Sequence, residues 1–214
     1  MKKLRWALAQ YFEQRWWKNY LKSKDLNSYI HWKKGYWKQF IDGLPYPILL
    51  KASGNYLDAG CGPAGINMVL PGSVTAIDPL LDNYHAQFPF FKPSEYPNVT
   101  FKQATLEDYN PAHTFDGVFC LNAINHVQNI KKAMLTLNQC CAESGILVLS
   151  VDVHNYKWLG WLFRLAQADV MHPQQFDEEA YLDMLEEAGF SMLSKKTLKK
   201  ELIFSYKVFV AQKQ

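Results

Sequence analysis

The sequence predicts an α/β protein: a doubly wound, seven-stranded, mostly parallel sheet with an antiparallel last strand, preceded by an N-terminal helical cap. Three observations predict it. From residue 54 onward, strand-like apolar runs alternate with helical patterns, which is typical of a parallel sheet covered by helices on both faces. A glycine-rich turn directly follows the first run. The first 44 residues lack the alternation and are rich in tryptophan and lysine.

Seven runs of apolar or alternating residues predict the strands, near residues 55–59, 74–78, 99–102, 116–121, 145–152, 189–195 and 202–212. A helical pattern with an acidic first turn, residues 176–189, precedes the sixth run and ends at a glycine. The last two runs are joined by Thr197–Glu201, which is too short for a helical crossover between parallel strands. We therefore expect an antiparallel pairing at the sheet edge, or insertion of the last strand beside its predecessor.

The N-terminal segment, residues 1–44, differs in charge from the rest of the chain. It holds ten Lys and Arg against three acids, so that the remaining 170 residues carry a net charge of −4. Its pattern predicts two helices, residues 3–22 and 26–42, with Asp25, Asn27 or Ser28 as the cap of the second and Gly43 and Pro45 as its stop. We expect two units: a helical cap or lid over residues 1–44 and a main domain over residues 45–214.

Three interpretations of the cap stay open. Its aromatic side chains could pack on the core while lysines face water, or they could also close over a substrate and exclude water. A third interpretation is a basic, aromatic surface that binds nucleic acid or membrane lipid. Of these two partners, nucleic acid is the one that the sequence favours less. Five of the seven tryptophans lie in this segment: Trp6, Trp16, Trp17, Trp32 and Trp37.

The remaining composition limits the function classes. The four cysteines lack C-x-x-C spacing, with Cys140 and Cys141 expected in a helix and Cys120 in a strand, so we expect reduced thiols. The six histidines are scattered, and we expect no metal site. No apolar run reaches the ~20 residues that cross a bilayer, although peripheral contact stays open. The N-terminus lacks the apolar region of a signal peptide, so we expect a cytoplasmic protein.

The most informative segment is Tyr56–Gly65, which reads Y-L-D-A-G-C-G-P-A-G. Gly60, Gly62 and Gly65 allow a sharp turn and a close approach by an adenine-bearing ligand, and Asp78 ends the next apolar run where a ribose-binding acid is expected. The spacing alone fits two cofactors. Asp58 separates them, because a carboxylate there repels a pyrophosphate and attracts an amino-acid ammonium.

These residues resemble motif I of the class I S-adenosylmethionine-dependent methyltransferases, with motifs like those of the ubiquinone and menaquinone enzymes. The resemblance is serial over roughly residues 50–152. It implies a Rossmann-like fold, S-adenosylmethionine as cofactor, and in-line methyl transfer to an unidentified small-molecule acceptor. Further segments resemble other parts of that family. The second strand is matched by Val74–Asp78 and the adenine loop by Phe101–Asp108. The fourth strand is matched by Phe115–Asn122, and the fifth, which is entered through a glycine turn, by Ser144–Ser150.

The resemblance also implies roles for individual residues. Asp58 is expected near the methionyl ammonium, and Asp78 at the ribose hydroxyls with Pro79 beside it. Thr105 and Leu106 are expected at the adenine, where the family commonly has an acid that Glu107 or Asp108 could replace. We expect the backbone turn beneath the cofactor to consist of Gly60, Cys61 and Gly62, and the methionyl end to meet Leu121 and Asn122.

A catalytic base is needed only when the acceptor is a poor nucleophile at neutral pH. Our first candidate is His126, just after the fourth strand, and the alternative is that it caps or packs the following helix; His154 and His172 are weaker candidates. We expect residues 155–176 to form an insertion over the acceptor pocket, although its aromatic part, Tyr156–Phe163, fits a buried packing helix equally well.

Two other function classes remain open at this point. The glycine turn also suits an NAD(P)-dependent oxidoreductase, against which stand Asp58, Pro63 within the turn and the lack of a Tyr-x-x-x-Lys pair. The alternative is a non-catalytic or nucleic-acid-directed protein on the same fold. Against nucleic acid as the substrate stands Leu121–Ile124 in place of an Asn-Pro-Pro motif, whereas the positive N-terminal segment keeps it open. The acceptor, its O-, N- or C-nucleophile, and the oligomeric state are left open by the sequence.

Overall fold

The computed structural model describes residues 2–155 and 176–214. The predicted insertion at 155–176, including Tyr156–Phe163 and His172, lies outside these residues except at its two ends. In these two ranges, five α-helices and seven strands follow one another in the order α1 (Lys2–Leu21), α2 (Leu26–Asp42), β1 (Asn55–Ala59), β2 (Ser73–Asp78), α3 (Leu81–Gln87), β3 (Val99–Gln103), β4 (Phe115–Leu121), α4 (Ile130–Cys140), β5 (Cys141–His154), α5 (Glu178–Glu187), β6 (Phe190–Lys200) and β7 (Phe204–Lys213).

The seven strands form one sheet in the order β3-β2-β1-β4-β5-β7-β6. Strands β1 to β5 are parallel, whereas β7 is antiparallel to both of its neighbours. The predicted fold class is therefore confirmed. Strand β1 pairs with β2 on one side and β4 on the other, so the strand order reverses there, and ligands of open α/β sheets bind at such a switch point.

The end of the chain combines both arrangements expected for the last strand. Strand β7 lies beside β5 and also forms a hairpin with β6 at the sheet edge. The predicted connection at Thr197–Glu201 is wrong in its position, because Lys200 still pairs with Ser205 and the turn covers residues 201–203. The antiparallel ladder extends β6 five residues beyond the predicted strand, which ended at residue 195.

Helix α2 begins and ends at the predicted signals. The carboxylate of Asp25 accepts a hydrogen bond from the backbone N–H of Ser28 at 2.8 Å, which caps the first turn. The N–H of Gly43 bonds to the carbonyl oxygens of the last turn. The helix buries Trp37 and Phe40 in a cluster with residues of the sheet, including Tyr56. The cap therefore packs on the core through an aromatic face.

The cysteines behave as buried thiols, with one correction. All four are free and buried, and Cys120 lies in β4 as expected. Cys140 ends α4, but Cys141 is the first residue of β5 and not helical. The chain passes from helix to strand without a loop because Cys141 already pairs with Phe115 of β4. The fifth strand thus begins before the predicted glycine turn, and Ser144 within it has a φ of 60°.

Two further expectations concern metals and membranes. Within residues 2–155 and 176–214, no group of three or more His, Cys, Asp or Glu side chains is arranged to hold a metal ion. Among the helices in these ranges, none is both long enough and apolar enough to cross a membrane.

Candidate active site

A cavity of about 720 Å³ lies at the carboxyl ends of the parallel strands. The described residues that line it come from the ends of β1, β2 and β4, from the loop after β3, from β5, β6 and β7, and from both N-terminal helices. This volume lies within the range of about 300–1,000 Å³ that is usual for small-molecule sites. The cavity therefore occupies the switch point that the strand order predicts.

The glycine-rich turn forms the floor of the cavity. Gly60 and Gly62 have φ values of +80° and +56°, which residues with a Cβ rarely adopt. A Cβ on Gly60 would lie 2.3 Å from the Cβ of Ala123. The N–H groups of Gly60 and Cys61 both donate to the carbonyl oxygen of Ile77, at 2.8 and 3.0 Å. The turn is thus fixed to β2, and only glycine fits its first position.

Asp58 lies beneath this turn and is not among the residues that line the cavity. It is 2% exposed, and its Oδ2 accepts a hydrogen bond from the N–H of Asn67 at 3.0 Å. A Cβ on Gly65 would lie 2.3 Å from the same oxygen. Burial raises the pKa of Asp58 to about 7, the bond from Asn67 opposes that rise, and the nearby charge of Asp78 adds to it.

Asp78 lines the cavity at the end of β2. Its Oδ2 accepts from the N–H of Gly62 at 3.0 Å, and its Oδ1 accepts from the N–H of Leu80 at 2.8 Å. Burial raises its pKa to about 6, while these two bonds lower it. Because each carboxylate oxygen can accept more than one hydrogen bond, Asp78 can hold the turn and still accept from a ligand. Pro79 follows it at the cavity wall.

The loop after β3 distinguishes the two acids that could act at the adenine. Thr105, Leu106 and Glu107 line the cavity, whereas Asp108 does not. Asp108 is exposed and binds Lys132 at 2.7 Å, and it accepts from the Thr105 hydroxyl at 3.0 Å. Glu107 Oε1 accepts from the backbone N–H groups of residues 128 and 129, at 2.6 and 3.1 Å. Of the two acids, only Glu107 is placed to meet a ligand.

The residues after β4 form the opposite wall. Leu121, Asn122 and His126 all line the cavity. Asn122 has a φ of +53°, a conformation that asparagine tolerates better than most residues, and its N–H donates to Ser150 O at 2.8 Å. His126 is partly buried in a short helical turn, Ile124–His126. The predicted candidate base therefore shares one cavity with the glycine turn.

The sequence did not identify the individual cavity residues of the N-terminal helices. Helix α1 contributes a polar pair and two tryptophans, and α2 contributes a lysine and two aromatic rings. Their spacing of three and four residues places each set on one helix face, which is the signal that could have found them. These lining residues are Gln10, Glu13, Trp16, Trp17, Lys33, Tyr36 and Trp37.

The end of the cavity beside α2 is both aromatic and charged. The ammonium of Lys33 lies over the rings of Trp37 and Tyr36, at 4.8 and 5.0 Å from their centroids. Burial lowers the pKa of Lys33 to about 8. The hydroxyl of Tyr206, on β7, is 2.7 Å from the Ser150 hydroxyl. This end can therefore hold a flat molecule and make polar contacts with it.

An open α/β sheet with a glycine turn, an acid after the second strand and a shared cavity at the strand ends is typical of domains that bind nucleotide-like ligands. A family profile described as "Methyltransferase domain" matches residues 29–195 of the sequence. The chain belongs to this methyltransferase-domain family. The resemblance seen in the motifs is thereby confirmed.

Part of the sequence is similar to curated proteins that are named as O-methyltransferases. The ubiquinone biosynthesis O-methyltransferase of Rickettsia canadensis is 33% identical over 97 residues, which are 44% of this chain and 41% of the relative. That of Rickettsia prowazekii is 35% identical over 97 residues, or 44% of this chain and 38% of the relative. The matched segment spans about two fifths of the length of these relatives.

Solved structures share the fold. The YcgJ protein of Bacillus subtilis has a TM-score of 0.66 at 13% identity, covering 86% of this chain and 99% of that one. A putative methyltransferase of Bacillus halodurans has a TM-score of 0.62 at 18% identity, covering 84% and 97%. At such low identity these similarities establish the architecture alone.

Proposed function

We propose that the protein transfers a methyl group from S-adenosylmethionine to a small-molecule acceptor. The observation that carries this proposal is the single cavity that joins the glycine turn, Asp78, the loop at Thr105–Glu107 and His126. Membership of the methyltransferase-domain family supports it. An NAD(P)-dependent oxidoreductase is not favoured, because residues 29–195 match the methyltransferase-domain family.

The residues of the cavity fit the cofactor. The positive φ values at Gly60 and Gly62 leave the backbone open to a close approach, and Asp78 retains acceptor capacity for ribose hydroxyls. Leu106 and Thr105 would contact the adenine. Leu121 and Asn122 would face the methionyl end, and Asp58 would act from beneath the turn as the negative charge for the ammonium. Cys61 would contact the cofactor through its backbone.

When bound, S-adenosylmethionine supplies an electrophilic methyl group for in-line displacement. The protein orients the acceptor against it and excludes water, which can provide most of the acceleration. His126 accepts a proton from an acceptor whose nucleophile is protonated at neutral pH, since a neutral imidazole suits that step. The aromatic end at Tyr36 and Trp37 holds the body of the acceptor.

The experiment uses S-adenosylmethionine with a radiolabelled methyl group and a cell extract divided by ultrafiltration into small molecules and macromolecules. We expect label in the small-molecule fraction with the wild-type protein and a loss of that label with Asp78→Ala. Label in the macromolecular fraction alone would support a nucleic-acid- or protein-directed enzyme instead. Cofactor binding without label in either fraction would support a non-catalytic protein.

A further inference from the structure

Helix α1 brings polar side chains to the end of the cavity that contains Asp78. Gln10, Glu13 and Trp17 line the cavity together with Asp78 and Gly62. Their spacing of three and four residues places the three helical side chains on one face of α1.

The face is fixed against the glycine turn. A Cβ on Gly62 would lie 3.8 Å from Trp17 Cζ2, an ordinary packing distance. Trp17 and Leu21 pack in one apolar cluster with Cys61 and Ala64 of the turn. The polar atoms of Gln10 and Glu13 are therefore held over the cavity by packing one and two turns further along the same helix.

These polar atoms have unused capacity to accept hydrogen bonds. Gln10 is 8% exposed, and its buried Oε1 has no hydrogen-bond partner among the described residues. Its Nε2 donates to Glu13 Oε2 over 3.4 Å. The hydroxyl of Tyr84 donates to Glu13 Oε1 over 3.5 Å. Both bonds are long for their type, so the site presents acceptors that lack strong donors.

The charges around Glu13 also favour a ligand that donates hydrogen bonds. Burial raises the pKa of Glu13 to about 8, and the charge of Asp78 raises it further, against hydrogen bonds from Trp17 and Tyr84. Among the described side chains, no cation forms an ion pair with Glu13 or Asp78. Two carboxyl groups that share a partly dry site without a cation are stabilised by hydroxyl donors.

We infer that Glu13, supported by Gln10, forms the second wall of a ribose site whose first wall is Asp78. Two vicinal hydroxyls of a ribosyl group supply two donors on adjacent carbons, which suits one acceptor on the sheet and one on the helix. The inference rests on the proposed function, since the ribosyl group is that of the cofactor. It assigns Glu13 a direct contact with ligand.

The test is calorimetric titration of the full chain with S-adenosylhomocysteine and with its 2′-deoxy and 3′-deoxy analogues. Wild type, Glu13→Ala and Glu13→Gln are compared. Arg15→Ala is the control, because Arg15 is an exposed residue of the same helix. Thermal unfolding of each variant checks that the fold is retained.

We expect wild type to bind one deoxy analogue about ten-fold more weakly than the parent compound, the loss expected when a buried acceptor is left without its donor. Glu13→Ala should bind the parent compound about ten-fold more weakly but that analogue nearly as well as wild type does. Glu13→Gln, which keeps an acceptor oxygen, should lose less, and Arg15→Ala should match wild type.

An equal loss for all three compounds in Glu13→Ala would overturn the inference, because Glu13 would then act on another part of the ligand or on the helix alone. The proposed function would survive that result. Wild-type protein that binds none of the compounds would instead contradict the proposed function, and the ribose inference with it.

Discussion

The indole Nε1 of Trp37 donates a hydrogen bond to the carbonyl oxygen of Ala64 at 2.9 Å, and this bond ties helix α2 to the glycine-rich turn. Both residues are buried, so the carbonyl of Ala64 carries a desolvation cost when the bond is lost. The aromatic helix thus helps to hold the floor of the cavity in place, in addition to packing on the sheet.

Replacing Trp37 by Phe should lower the free energy of unfolding by about 2–4 kcal/mol. The unpaired carbonyl accounts for about 1–3 kcal/mol, and the space left by the smaller ring for the remainder. Trp32→Phe is the control, because Trp32 is 53% exposed and should cost less than about 0.5 kcal/mol. Urea unfolding measures both, and similar losses in the two variants would show that the Ala64 bond contributes little.

Two glycines should respond in opposite directions to alanine. Gly60→Ala places a Cβ 2.3 Å from that of Ala123 at a φ of +80°, so we expect a loss of stability of at least about 2 kcal/mol, from steric overlap and from the left-handed backbone. Gly35→Ala lies in the exposed interior of α2, where an added Cβ meets nothing within 4 Å, and should gain up to about 1 kcal/mol. Thermal unfolding decides, and a neutral Gly60→Ala would refute the steric account of the turn.

The pKa of Asp58 leads to a prediction about pH. The pKa is about 7 in the folded protein against an ordinary value of 3.8 for an aspartate, so the contribution of this group to stability is fully present below pH 3.8 and is lost as the pH rises through 7. Asp58→Asn should remove that loss and be more stable than wild type at pH 8 by at least about 1.4 kcal/mol, the equivalent of one pKa unit. The difference should shrink at pH 5.

Urea unfolding of both proteins at pH 5 and pH 8 measures the effect of Asp58→Asn. Asp78 and Glu13, which also have raised pKa values, are present in both proteins and are compared at equal pH. A variant that is less stable than wild type by the same amount at both pH values would show that the carboxylate is not penalised by burial.

His126→Ala should leave the affinity for S-adenosylhomocysteine within a few-fold of wild type. It should lower turnover about 100-fold or more if the acceptor nucleophile is a hydroxyl, the usual contribution of a general base. The measurements are calorimetry and methyl transfer to the acceptor found in the small-molecule extract. His85→Ala, an exposed histidine of α3, is the control, and unchanged turnover in His126→Ala would remove His126 from the mechanism.

Much of the sheet and of the cofactor end could be predicted, because both depend on local patterns. The turn at Gly60–Gly65 and the acid at Asp78 follow from the spacing of residues along two consecutive strands and the turn between them. Asp25 and Gly43 mark the two ends of α2, because their residue types favour capping positions. These features need no knowledge of distant contacts. The sequence could therefore identify the type of cavity before the fold was known.

What the sequence missed depends on contacts between distant segments. Cys141 belongs to a strand because Phe115 pairs with it. Asp108 lies outside the cavity, where Lys132 binds it. Glu13 reaches the cavity only because α1 packs on the turn. The spacing of residues along α1 marks a helix face, but no local pattern shows which distant segment a helix face or a strand will contact.

The most direct test of the central proposal is calorimetric titration of the purified protein with S-adenosylmethionine and S-adenosylhomocysteine, with NADH as the comparison ligand. We predict micromolar binding of the two sulfur compounds and none of NADH. Binding of NADH alone, or of none of the three, would contradict the proposal that this cavity holds the methyl donor.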